Sequence, residues 1–224
     1  MEPITIDPEG VVYTALPELG DNIPQRGNRL SRAFWRFVLR LLGWRVEGKA
    51  PDLPKFVFVG APHTSNQDFF MTAMTMAALG VRGHFVMKHQ PFVGPVGWLL
   101  RFLGGIPLDR DRSRDFVAQM VDEFGQREQF LLAIMPEGTR GSHTETKGWR
   151  SGFYYIARGA GVPLVLVVFD YGNKRMRIGP TIIPGPDYET DLPAIQAYFA
   201  GVNGRRPERT LALEGKKSLV KGRV

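Results

Sequence analysis

From Phe56 to Asp170 the chain keeps changing its hydrophobic period. Short apolar runs such as Phe56–Gly60, Phe130–Met135 and Val162–Asp170 read as buried strands, because both faces of each are apolar. Between them lie stretches whose apolar residues recur every three or four positions, as in Phe116, Val117, Met120, Val121 and Phe124. The pattern predicts strands near 56–60, 83–88, 104–108, 130–135, 162–170 and 175–179. Helices are predicted near 66–79, 94–103, 114–126, 151–159 and 191–200. Strands alternating with helices imply an α/β fold, with a mostly parallel or mixed central sheet flanked by helices. A chain of 224 residues, 43% of them hydrophobic, can support such a core unaided. With no Cys, disulfides, thiolate metal sites and a Cys nucleophile are excluded.

Arg29 to Trp44 stands apart from this alternation. Arg29, Arg32, Arg36 and Arg40 stack along one helical face, with Leu30, Phe34, Trp35, Phe37, Val38, Leu41 and Leu42 around the remainder. The segment reads either as a basic amphipathic helix lying in a membrane interface or as a surface helix packed on its own core. Net charge is +7, from 29 basic and 22 acidic residues. Residues 1–21 hold five acids and no Lys or Arg, so the positive excess lies entirely beyond them. Residues 205–224 carry seven basic residues against Glu208 and Glu214. A basic body favours an anionic partner. No nucleic-acid motif accompanies the charge, so nucleic acid is not expected. Acids and Pro occupy the place of a signal peptide's basic and apolar regions. The longest near-apolar stretch, Pro91–Leu100, is closed by Arg101 and is too short to span a bilayer. The expectation is a chain that is soluble or sits on a surface, and the lack of Cys fits a reducing cytosol.

Three blocks carry chemistry. In Pro62–Asp68, His63 in a loop and Asp68 in the first turn of a helix can meet. The carboxylate then orients the imidazole and leaves its other nitrogen free as a base. The same residues also fit a capping box, with Ser65 as N-cap and Asp68 at N3. Gly104–Arg110 places Arg110 just past a short strand, either as an anion ligand or in a surface turn paired with a neighbouring Asp. Pro136–Arg140 delivers Glu137, Gly138, Thr139 and Arg140 from the end of a buried strand: a carboxylate, a close-approach glycine, a hydroxyl and a cation. No G-x-S-x-G elbow is present. His84, His89 and His143 lack a second ligand at a metal-binding spacing, and no metal is expected.

Together these blocks resemble the glycerolipid acyltransferase family, of the 1-acylglycerol-3-phosphate acyltransferase type. His63 and Asp68 match its H-x-x-x-x-D block, Gly105 to Arg110 its second, Pro136 to Arg140 its third, and Val162-Pro163-Leu164-Val165 lies where the fourth falls. Lys88 matches a basic position common in the family. The sequence departs at Gln67, where many members carry Trp, at Leu166, where a second Pro is common, and at Trp149–Gly152, a variant of an aromatic-basic-x-Gly step. The resemblance implies transfer of a fatty acyl group from a thioester to a hydroxyl, with His63 as base and Asp68 holding it. Lys88, Arg110, Glu137, Gly138, Thr139 and Arg140 would hold a lysolipid acceptor. Acyl-CoA or acyl carrier protein would be the co-substrate, with no other cofactor. A lyso-ornithine lipid or another glycolipid is an alternative acceptor, and an inactive lipid-binding scaffold an alternative role. The chain then divides into an irregular acidic arm (1–28), a basic amphipathic helix (29–48), an acyltransferase domain (49–204) and a basic tail (205–224), with an anionic membrane surface as a partner.

Overall fold

A computed structural model describes residues 19–108, 113–138 and 149–207. In chain order the elements are α1 (Arg29–Leu41), β1 (Arg45–Glu47), β2 (Lys55–Ala61), α2 (Gln67–Leu79), β3 (His84–Lys88), α3 (Gly94–Phe102), β4 (Gly105–Leu108), α4 (Ser113–Gln126), β5 (Phe130–Ile134), α5 (Gly152–Ala160), β6 (Leu164–Asp170), β7 (Arg175–Ile182) and α6 (Tyr188–Ala197). The strands form one mixed sheet in the order β1-β7-β6-β2-β5-β3-β4. The pairs from β6 to β4 are parallel, β7 runs antiparallel to β6, and β1 runs parallel to β7.

The sheet divides two apolar layers. Alternation along β2 sends Val57, Val59 and Ala61 to one side, against Met120 and Phe124 of α4, Phe153 and Ile156 of α5, and Ile195 of α6. Phe56 and Phe58 point the other way, into a layer with Leu39 of α1 and Met71, Ala78 and Leu79 of α2. The helix after β2 and the helix after β5 therefore cover opposite faces. β5 lies beside β2, although β3 and β4 come between them in the chain. Connections that diverge from adjacent parallel strands open a crevice at the strands' carboxyl ends, where open α/β sheets bind ligands. His63 leaves β2 into that crevice and Glu137 leaves β5 into it.

Several boundaries differ from the sequence reading for local reasons. The basic helix stops at Leu41 instead of continuing to 48. Asn28 and Ser31 cap its start reciprocally, while Gly43 adopts a left-handed backbone (φ +76°) and turns the chain into β1. β1 itself was not anticipated: three residues are too few to show a period, and their strand character comes from pairing with β7. β7 runs on to Ile182, past an irregularity in its pairing with β6 that accommodates Pro180. The last helix begins at Tyr188, because Asp187 accepts the Thr190 N–H as its N-cap.

Gly60, the penultimate residue of β2, leaves room for the strands' side chains to close over it. A Cβ there would lie 2.7 Å from both Met135 Sδ and Phe169 Cε2. Gly60→Val is expected to destabilise the fold by about 1–3 kcal/mol through overpacking. Urea denaturation checks this, and an unchanged midpoint would contradict it.

Candidate active site

β2 hands the chain through Pro62, in a cis peptide, to the loop His63–Asn66, and α2 opens at Gln67. The loop folds around one carboxylate. Asp68 is fully buried. Its Oδ2 accepts from His63 Nδ1 at 3.0 Å and from the backbone N–H groups of Thr64 and Ser65, both at 2.8 Å. Its Oδ1 accepts from the Tyr171 hydroxyl at 2.6 Å and from Ser65 Oγ at 3.4 Å. Burial pushes the acid up, but the hydrogen bonds from His63, Tyr171 and Ser65 outweigh it and hold Asp68 below the ordinary carboxylate range. An ionised Asp68 accepts from Nδ1–H, so Nε2 of His63 carries the lone pair. The His63 side chain keeps 18% of its surface exposed, enough for a reacting group to approach.

The capping box expected from Ser65 and Asp68 is only half formed, because Asn66 is the residue that precedes α2 and its side chain makes no capping bond. Asp68 receives the Ser65 N–H, and Ser65 Oγ receives the Gln67 N–H at 3.1 Å. Asp68 thus orients the imidazole and closes the Ser65 turn, without the reciprocal bond from its own N–H to Ser65 Oγ that a capping box requires.

Glu137, also buried, accepts the backbone N–H of His63 on Oε1 at 2.8 Å. It ties the end of β5 to the loop that carries His63. Its Oε2 is buried without a hydrogen-bond partner. Burial, with a smaller contribution from the Asp68 charge, pushes its carboxyl up to about 7 against the lowering effect of the His63 N–H. Gly138 follows with φ +65°, and Arg150 packs over it, so that a Cβ there would lie 2.7 Å from Arg150 Cδ. The third block therefore continues in space into Arg150, from the Trp149–Gly152 step.

Of the other sequence candidates, Lys88 is exposed at the carboxyl end of β3, which pairs with β5 on the same edge of the sheet. Arg110, Thr139, Arg140 and His143 lie outside the described residues, as do the arm up to residue 18 and the tail from 208. His84 stands at the opposite, amino end of β3. Burial, then the charge of Arg127, pushes it down to about 4. Among the described residues no three His, Asp or Glu side chains converge as a metal-ligating group.

Three residues outside the sequence blocks hold the loop, Tyr171 and the first two residues of the basic tail. Tyr171 reaches Asp68 from 103 positions away. Arg205 Nε donates to Gln67 Oε1 at 2.7 Å, and the Arg206 N–H donates to Thr64 Oγ1 at 3.1 Å. Gly204 lets this segment close on the loop, since a Cβ would fall 2.5 Å from Thr64 Cγ2. The first residues of the basic tail are thus part of the site's rim. The basic run marks Arg205 and Arg206 as charged, but no local pattern ties any of the three to this loop.

A family model described as acyltransferase matches residues 45–170. The chain is 40% identical over 81 residues to human 1-acyl-sn-glycerol-3-phosphate acyltransferase beta, covering 35% of this chain and 29% of that one. It is 30% identical over 120 residues to the chloroplastic 1-acyl-sn-glycerol-3-phosphate acyltransferase BAT2 of Brassica napus, covering 52% and 35%. It thus spans about a third of the length of these relatives. Its fold is similar to the crystal structure of the 1-acyl-sn-glycerophosphate acyltransferase PlsC from Thermotoga maritima, with a TM-score of 0.56 and 19% identity over 76% of this chain and 75% of that one.

The buried Glu137 predicts a pH signature. Its folded value of about 7 lies above its ordinary 4.5, so between these limits the folded state keeps a proton that the unfolded chain releases. Stability should therefore fall as pH rises through that window, by up to about 1.4 kcal/mol per unit. Asp68, held low, contributes no slope there. Glu137→Gln should remove this component, so that urea midpoints decline less between pH 5 and 8 than in the unaltered chain. Equal declines would contradict the assignment.

Proposed function

The chain belongs to the acyltransferase family, and we propose that it moves a fatty acyl group from an acyl thioester to the hydroxyl of a lysolipid such as 1-acylglycerol-3-phosphate. The observation that carries the reading is the His63–Asp68 pair, 3.0 Å apart at the carboxyl edge of the sheet with Glu137 fixing the His63 backbone. The names of the relatives support the choice of acceptor.

In this mechanism Nε2 of His63 takes the acceptor's hydroxyl proton as the oxygen attacks the thioester carbonyl carbon. The charge that develops on the imidazole is balanced by Asp68. The tetrahedral adduct collapses by breaking the C–S bond, and the departing thiolate takes the proton back from Nε2. The products are the ester and a free thiol, with no acyl-enzyme. Lys88, Arg110 and Arg140 serve the anionic group of the acceptor, and Gly138 and Thr139 shape its seat. Glu137 keeps His63 in place beneath it. Acyl-CoA and acyl carrier protein are the two donors of the right chemistry.

An acceptor of this kind resides in a bilayer, and the surface is suited to one. α1 turns Trp35 and Leu39 inward, and Arg36 donates to the Ala78 carbonyl of α2 at 3.0 Å. Leu30, Phe34, Phe37 and Leu41 are left outward in a stripe, with Leu30 81% exposed. On α3, Val96, Trp98, Leu99 and Phe102 are exposed as well, and Trp98 stacks on Phe102. Arg26 links the two helices, donating to the Phe102 carbonyl at 2.9 Å with its guanidinium over the Phe102 ring. No described helix is long and apolar enough to cross a membrane. The chain docks peripherally, on the inner face, with apolar side chains in the interface and Arg29, Arg40 and Arg101 toward anionic headgroups, at about 1 kcal/mol per cation.

Purified protein given labelled acyl-CoA or acyl carrier protein and a panel of lysolipids, including lysophosphatidate and lyso-ornithine lipid, tests the chemistry. Turnover should fall by about 10²–10⁴-fold in His63→Ala and comparably in Asp68→Asn. No turnover on any lysolipid, or full activity in either variant, would overturn it. Phe34→Ser with Phe37→Ser should weaken co-sedimentation with anionic vesicles by about tenfold or more. Unchanged sedimentation would remove α1 from the docking face.

A further inference from the structure

We propose that Tyr171 is a positioning residue for this acyl transfer, its hydroxyl locking the Asp68 carboxylate in the plane that presents Oδ2 to His63. The inference rests on the acyl-transfer reading and adds to it a residue outside every sequence block.

The two carboxylate oxygens of Asp68 are held unequally. Oδ2 has three close donors, all from the loop His63–Ser65. Oδ1 has one close donor, Tyr171 at 2.6 Å, while Ser65 Oγ stands off at 3.4 Å. A carboxylate rotates about its Cβ–Cγ bond with little resistance. That rotation carries both oxygens together, so a donor on Oδ1 held by another part of the fold restrains the same torsion that sets Oδ2, independently of the loop. Tyr171 is that donor, and it comes from a different part of the chain.

Tyr171 is itself well placed to serve. It follows directly on β6, the strand that neighbours β2, and its backbone N–H donates to the Asn203 carbonyl at 3.3 Å. Its ring meets the Trp44 ring edge to face, with centroids 4.9 Å apart. Burial, then the bond to Asp68, pushes its hydroxyl above the ordinary phenol range, so it remains a donor. The charged and titratable groups around this contact are His63, Glu137 and Arg205, none of which gives Asp68 Oδ1 another close hydrogen bond, while Ser65 Oγ lies beside both Oδ1, at 3.4 Å, and the Tyr171 hydroxyl. Tyr171 makes its contact with Asp68 and acts on the reaction through it.

Tyr171→Phe is the test, because it keeps the ring against Trp44 and removes only the hydroxyl. kcat should fall about tenfold with KM within about twofold. In an Asp68→Asn background the same substitution should leave the residual rate unchanged, since the partner group is already altered. Unchanged kcat in Tyr171→Phe, a raised KM at constant kcat, or an equal fall in both backgrounds would each overturn the proposal. A second readout does not depend on turnover. The His63 Nδ1 proton, followed by nitrogen-15 NMR, should resonate downfield in the unaltered protein and should shift or broaden in Tyr171→Phe. An unchanged resonance overturns the positioning role even if the chain shows no transfer. Absence of turnover with that resonance altered would instead remove the acyl-transfer reading and leave the Tyr171–Asp68 lock standing.

Discussion

A fully buried carboxylate is among the most costly groups a fold can hold, unless its oxygens are hydrogen-bonded. Asp68 meets that condition by drawing together the loop after β2, the first turn of α2 and the turn after β6. Each donor comes from a segment with little internal structure. Their positions follow from the carboxylate they share, and the imidazole's orientation follows with them. Glu137 plays the complementary part on the backbone side, accepting the His63 N–H from across the strand boundary. The site is a consequence of how two adjacent parallel strands end and of which acids lie beyond them.

Much of the scaffold was legible in the residues. Runs such as Phe56–Gly60 and Val162–Asp170 are buried on both faces, and continuous apolar runs of that kind have few other uses in a chain of this size. The partnership of His63 with Asp68 was readable because both lie within one loop and one turn. What stayed hidden depends on tertiary contact. β1 is a strand only because β7 offers it an edge. The basic helix could be read for length and periodicity, but the face it turns inward is set by the apolar layer over α2, and it leaves its phenylalanines outward. Tyr171, Arg205 and Arg206 reach the His63–Asp68 loop across more than a hundred residues of chain, and no local spacing encodes such a meeting.

Glu137 shows how resemblance and geometry divide a residue's role. In the sequence it belongs to a block implied to hold the acceptor. In the fold one oxygen already holds the backbone of His63, and only Oε2 is left without a partner. Its ability to keep a proton near neutrality comes from burial beside that task. Arg150, packed over Gly138, and Arg205, bonded to Gln67, come from separate segments, so the positive character beside the loop does not hang on any one block.

Trp44 closes the account of α1. The residue lies three positions past the helix, and its ring is part of the wall behind Tyr171. The helix is also fastened at this end by Lys174 Nζ on the Leu42 carbonyl. The amino-terminal helix is therefore no removable handle. A shortened chain that begins at β1 would shed one apolar surface, and with it the indole that backs the Tyr171 ring, so solubility gained by trimming there comes at the expense of the support behind Asp68.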